Sequence, residues 1–123
     1  MAKKNAIRLH LHKVAAGAAT DKLYYPDNES VQQGQRHHIT LLSFEDEDHT
    51  PVEIQVNVKK VTTTFKICEE LTATAGVLYW WQYEIVLTEG ERLEVYFLTA
   101  TAADNLHAWI QGYWVKEGEE VVT

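Results

Sequence analysis

A single cysteine, Cys68, stands in the whole chain. No intrachain disulfide can form and no thiolate metal cluster can be built. A lone thiol at the end of a strand pattern reads as a small buried hydrophobe rather than a nucleophile. Cations are scarce as well: 11 Lys and Arg against 18 Asp and Glu leave a formal charge of -7. A phosphate backbone and an anionic membrane surface both attract clustered cations, so nucleic acid and membrane are set aside as partners. The charge reads as a solubility device. Long apolar runs are missing, and no window approaches the length of a transmembrane helix. Lys3 and Lys4 are followed by Arg8, His10, His12 and Lys13 rather than an apolar stretch, so no cleaved signal is expected and synthesis is placed in a cytoplasm. The Asn28-Glu29-Ser30 sequon then has no chemistry to perform. Also missing are the GxSxG elbow, the phosphate-binding loop, the dinucleotide glycine fingerprint and the HExxH zinc motif.

What the chain has instead is period-two alternation, with no amphipathic helix. Its 123 residues fit one domain and its apolar fraction of 46% suits a globular core. Ile7, Leu9 and Leu11 share one face of the first strand pattern, and Arg8, His10 and His12 the other. Residues 15–20 are small and read as a hinge. Leu23-Tyr24-Tyr25 is a short strand stopped by Pro26-Asp27-Asn28, and Gln33-Gly34-Gln35 makes a second turn. Residues 36–45 are apolar on both faces toward their end, which predicts a central strand. The acidic run Glu45 to Asp48 with His49-Thr50-Pro51 predicts a hairpin connection. Val52, Ile54, Val56 and Val58 then point inward, with Glu53, Gln55, Asn57 and Lys59 outward. A threonine-rich strand follows over residues 61–67, and a loop over residues 71–76.

Residues 77–115 form the most aromatic part, three strands broken at Thr88 to Glu91 and Thr101 to Asn105. Successive strand side chains point to opposite faces. Parity groups Tyr79, Trp81, Tyr83, Phe97 and Ile110 as core, and leaves Trp80, Tyr96, Leu98, Trp109 and Tyr113 as a second set. That set reads first as a subunit interface, where Trp and Tyr are enriched. The other readings are an internal core and a platform for sugar rings. About eight short strands with regular turns predict an all-β antiparallel sandwich, jelly-roll-like, with an N-terminal arm or edge strand.

Three constellations invite chemistry. His10 and His12 share a strand face, as metal ligands on β-sandwiches do, but no carboxylate follows and a site needs three or four converging ligands. His37 and His38 point to opposite faces and cannot chelate together. Glu45 to Asp48 offer oxygens to a hard cation without the calcium-loop spacing. No cofactor, metal ligand or catalytic residue is therefore assigned, and the chain is expected not to be an enzyme.

The order of the pieces adds a further pointer. Leu-Tyr-Tyr-Pro leads into His38-Ile39-Thr40-Leu41-Leu42-Ser43, then a Val-x-Ile-x-Val-x-Val strand and Ala75-Gly76. Next come Leu87-Thr88-Glu89-Gly90-Glu91-Arg92-Leu93-Glu94-Val95 and a closing Asp104-Asn105-Leu106-His107-Ala108-Trp109-Ile110-Gln111-Gly112-Tyr113. Between Leu23 and Val115 this resembles the small β-sandwich virion proteins of tailed bacteriophages: capsid decoration proteins, head-fibre bases and tail-associated subunits. It departs from them at Pro26-Asp27-Asn28-Glu29 and at the acidic tip.

The resemblance implies a homo-oligomeric structural subunit without catalysis, located in the virion and assembled in the host cytoplasm. The expected role is capsid decoration, with a trimer favoured and the major capsid protein or another virion protein as partner. Residues 1–20 are expected as arm and hinge, and residues 21–123 as the sandwich domain. Lys3, Lys4, Arg8, His10 and His12 are the candidate partner contacts of that arm. Two alternatives stand beside this: a carbohydrate-binding or tail-fibre module, and a small cupin-like metalloenzyme using His10 and His12.

Overall fold

The computed structural model describes residues 3–17, 21–27, 29–49, 53–70, 74–81 and 84–116. Its strands are β1 (Asn5–Val14), β2 (Lys22–Tyr25), β3 (Gln35–Asp46), β4 (Glu53–Lys60), β5 (Thr63–Glu70), β6 (Tyr79–Trp81), β7 (Ile85–Leu87), β8 (Glu91–Leu98) and β9 (Asn105–Lys116). They build an all-β sandwich of two antiparallel sheets. One runs β1-β9-β3-β6 with β7 also paired to β3, and the other runs β2-β8-β4-β5. The expected first aromatic strand is divided. β6 pairs with Leu42 to Phe44 and β7 with His37 to Ile39, so the two act as one interrupted strand beside β3.

Inward-facing residues from both sheets form one apolar core, including Ile39, Leu42, Ile85, Leu106 and Ile110 against Ile54, Val56, Leu93, Val95 and Phe97. Tyr79, Trp81 and Trp114 are partly buried against it. Strand alternation holds on β4, where Ile54 and Val56 are fully covered. It slips on β3, where Ile39 faces Gly112 but Leu41 faces Gln111. This bulge absorbs Thr40, re-phases the strand, and lets Ile39 and Leu42 both point inward. The doubled apolar pattern of this strand is partly that change of phase.

One expectation is corrected. The acidic run is not a hairpin, because β3 and β4 lie in opposite sheets and the connection crosses between them. The N-terminal segment, expected as an arm or an edge strand, forms an edge strand. β1 pairs with β9 from Asn5↔Trp114 to Val14↔Asn105, and Ile7 and Ala15 belong to the common core. Residues 3–17 are thus built into the sandwich rather than set apart from it. The described part of the expected hinge is also pinned: Ala16 and Gly17 donate their amides to the buried Asp21 carboxylate at 2.7 and 2.8 Å. Expectations on Ala2, Asn28, Thr50, Pro51, Val52, Gln82, Tyr83, residues 18–20 and 71–73, and the Cys68 side chain lie outside the described residues.

A histidine and tryptophan face on the five-stranded sheet

Because the last strand inserts between the first and third, outward residues from four segments meet in rows across the outer face. His10 is the register partner of Trp109, and Ser43 lies opposite Trp109 on its other side. Trp80 lies opposite Ser43. The row His10, Trp109, Ser43, Trp80 therefore crosses the sheet, with Trp80 61% exposed. A neighbouring row holds His12, His107 and Glu45, and another holds Arg8, Gln111 and Leu41. Arg8, His10, Leu41, Ser43, Trp109 and Gln111 line a shallow cavity of about 430 Å³ on this face.

The imidazoles are tied in series. His10 Nε2 lies 2.8 Å from His107 Nδ1, and His107 Nε2 lies 2.7 Å from Glu47 Oε2. His12 Nε2 lies 2.9 Å from Asn105 Oδ1. A carboxylate accepts only, so His107 donates from Nε2 to Glu47, and its Nδ1 can accept from His10. The rings also stack. His10 lies on Trp109 with centroids 4.8 Å apart and planes 4° from parallel. His107 stands 5.0 Å from both His10 and His12. At the far end His38 stacks on Tyr113 at 4.6 Å, donates through Nδ1 to Glu84, and accepts at Nε2 from Arg36 Nε at 2.9 Å. Lys4 Nζ sits 4.6 Å from the Tyr113 ring centre.

The third histidine and the carboxylate missing from the His10-Leu11-His12 motif are supplied by His107 and Glu47. They nonetheless bond in a chain instead of converging on a point. The chain also ends on an imidazole rather than on a hydroxyl or thiol that a base could activate. The pairing of β1 with β9 makes His107 and Asn105 neighbours of His10 and His12. The one signal in the sequence is the shared outward parity of His107 and Trp109.

The five expected interface residues divide between two surfaces. Trp80, Trp109 and Tyr113 lie on the face just described, together with Lys4, Arg8, His10 and His12; Lys3 is exposed just before β1. Tyr96 and Leu98 lie on the outer face of the four-stranded sheet, so they cannot join the tryptophans in one patch. There Glu94 is 2% exposed. Lys22 and Lys59 ammonium groups approach its Oε2 at 3.6 and 3.5 Å, and Asn57 Nδ2 donates to its Oε1 at 3.0 Å. Lys22 also covers the Tyr96 ring at 4.6 Å, and Arg92 covers Tyr24 at 3.9 Å.

Inside the sandwich the polar pair is Tyr25 and His37. Tyr25 Oη lies 2.8 Å from His37 Nδ1, and His37 Nε2 lies 2.9 Å from Gln35 Oε1. Burial pushes the Tyr25 hydroxyl up to about 12, so it stays a donor. Burial lowers the His37 imidazole, with Glu29 opposing and His38 adding to the effect. A neutral His37 donating from Nε2 satisfies both bonds.

Compared with protein-family models, curated proteins and solved structures, the chain has no match.

Proposed function

We propose that this chain is a non-catalytic structural subunit of a tailed-phage virion, a capsid decoration protein that assembles with copies of itself and seats on the capsid surface. The strand order, with β6 and β7 counted as one strand, reads as a jelly roll. That architecture serves viral capsids, lectins and cupins alike, so the site has to choose between them.

A cupin would gather its ligands inside the sandwich, but His10 and His12 stand on the outside and the interior His37 is bound to Tyr25 and Gln35. A lectin-type platform would present a bare ring face to sugar. Here imidazoles stack on Trp109 and Tyr113, which leaves Trp80 as the exposed ring of the three rather than a row of bare faces. What remains is a broad surface with apolar edges: Trp80, Leu41 and Val86 over a sheet whose other side is already core. A large exposed aromatic with apolar neighbours on a sheet suits a protein contact.

The observation that carries this reading is the row Trp80, Ser43, Trp109, His10, which leaves Trp80 61% exposed. The phage setting draws on the resemblance in the order of the sequence pieces. Trimeric closure is the geometry favoured for the assembly. If the reading holds, peptides of this chain co-purify at fixed stoichiometry with particles produced from the genome that encodes it. Particles free of the chain would contradict the virion role.

A further inference from the structure

Two carboxylates close together in the chain and a third from far along it meet at one end of the sandwich. Asp46 closes β3, Asp48 lies in the bend that follows, and Asp104 precedes β9. One oxygen from each lies within 4.8 Å of the other two. Asp46 and Asp104 are each 1% exposed, and each keeps an oxygen, Oδ2, buried without a hydrogen-bond partner. One oxygen of each carboxylate is committed. Asp46 Oδ1 accepts from the amides of Asp48 and His49 at 3.1 and 3.2 Å. Asp48 Oδ2 accepts from Asn105 N at 2.6 Å and Nδ2 at 3.2 Å. Asp104 Oδ1 faces His49 Nδ1 at 2.6 Å.

These bonds hold the three side chains in place while leaving two buried oxygens without a donor. A buried carboxylate oxygen in that state carries its desolvation cost uncompensated. Two such groups side by side repel unless a proton or a cation stands between them. Each donor in the set is oxygen, which suits a hard cation and not the nitrogen and sulfur preferences of zinc. Asp48 is exposed, so its side gives entry and room for the waters that complete a large shell.

We infer that Asp46, Asp48 and Asp104 bind one hard divalent cation, calcium in the first place. The ion would clamp the β3–β4 crossing to the β8–β9 connection. It would also fix the end of β1, since Ala15 N donates to Asp104 O, and Ala103 N to Ala15 O, both at 2.8 Å. Glu47 and Asn105 beside it hold His107 and His12, so occupancy would stiffen that end of the outer face. The inference rests on the carboxylates and stands apart from the assembly reading.

The test uses the full chain stripped with EDTA, then titrated with CaCl2 while heat of binding and thermal unfolding are followed. One ion per chain should bind, and saturation should raise Tm by roughly 5 °C or more. Asp46→Asn keeps the shape and the Oδ1 acceptor, and should fold with an unchanged circular dichroism spectrum but lose the calcium-dependent rise. Asp48→Asn, at an exposed position, should weaken it in the same direction and serves if Asp46→Asn does not fold. No heat and no Tm change up to about 10 mM CaCl2 would overturn the site, as would a full calcium response in both variants. A larger response to MgCl2 than to CaCl2 would overturn the calcium assignment.

Discussion

A Cβ placed on Gly112 would stand 1.9 Å from the carbonyl oxygen of His38 and 2.9 Å from its carbonyl carbon. Both neighbours are backbone atoms in the middle of the β3–β9 ladder, at the bulge that re-phases β3. Neither can swing aside as a side chain would. Gly112→Ala should therefore cost about 3 kcal/mol or more, or prevent folding. Urea unfolding of the variant checks this, and a midpoint within error of wild type would show that the two strands are not this close.

Val61 makes the opposite case. It sits in the two-residue turn between Lys60 and Thr63 with φ of 55°, and it is 88% exposed. A β-branched side chain there has the left-handed penalty without any packing in return. Val61→Asn or Val61→Gly should stabilise the chain by roughly 1 kcal/mol. A loss of stability would mean that the valine side chain has a contact that offsets its strain.

Glu94 should act as the anchor of the four-stranded sheet's outer face. Glu94→Gln keeps the shape but leaves Lys22 and Lys59 facing a neutral group. The cost should be about 1–3 kcal/mol, at the lower end because both lysines reach solvent. Adding Lys22→Met should cost less than the sum of the single changes. Strict additivity in a double-variant cycle would show that the pair is not coupled.

His37 sets an acid limit. Its folded-state value lies below the ordinary 6.5, so the fold favours the neutral ring. Such a group stabilises above its unfolded-state value, and that stabilisation is lost as pH falls through the folded-state value. Wild type should therefore lose stability relative to His37→Gln as pH is lowered below about 6.5. Parallel stability curves for the two proteins over that range would exclude this role.

Much of the core was legible because one buried face fixes the parity of a strand. Ile54, Val56, Leu93, Val95 and Phe97 all point inward as alternation requires. Parity also separates Trp80, outward, from Tyr79 and Trp81, packed on the core. It states in or out but not which sheet, and so parity alone groups Tyr96 and Leu98 with tryptophans that lie on the opposite surface. The bulge at Thr40 was hidden because Thr40-Leu41-Leu42 keeps an apolar character in either phase. The site residues His107, Glu47 and Asp104 depend on pairings between the two ends of the chain. No local pattern encodes that register, and the acidic run could be seen without the partner that completes it.

The central claim is that the face bearing Trp80 and Trp109 is an assembly surface. The direct measurement is the native mass of the full chain beside Trp80→Ser, a change at an exposed position that should leave folding and Tm intact. The account predicts a closed oligomer of wild type, three copies in its favoured form. It predicts a shift of the variant toward the single-chain mass of 14.1 kDa. Wild type at 14.1 kDa across the accessible concentration range, or an oligomer unchanged by both Trp80→Ser and Trp109→Ala, would contradict it.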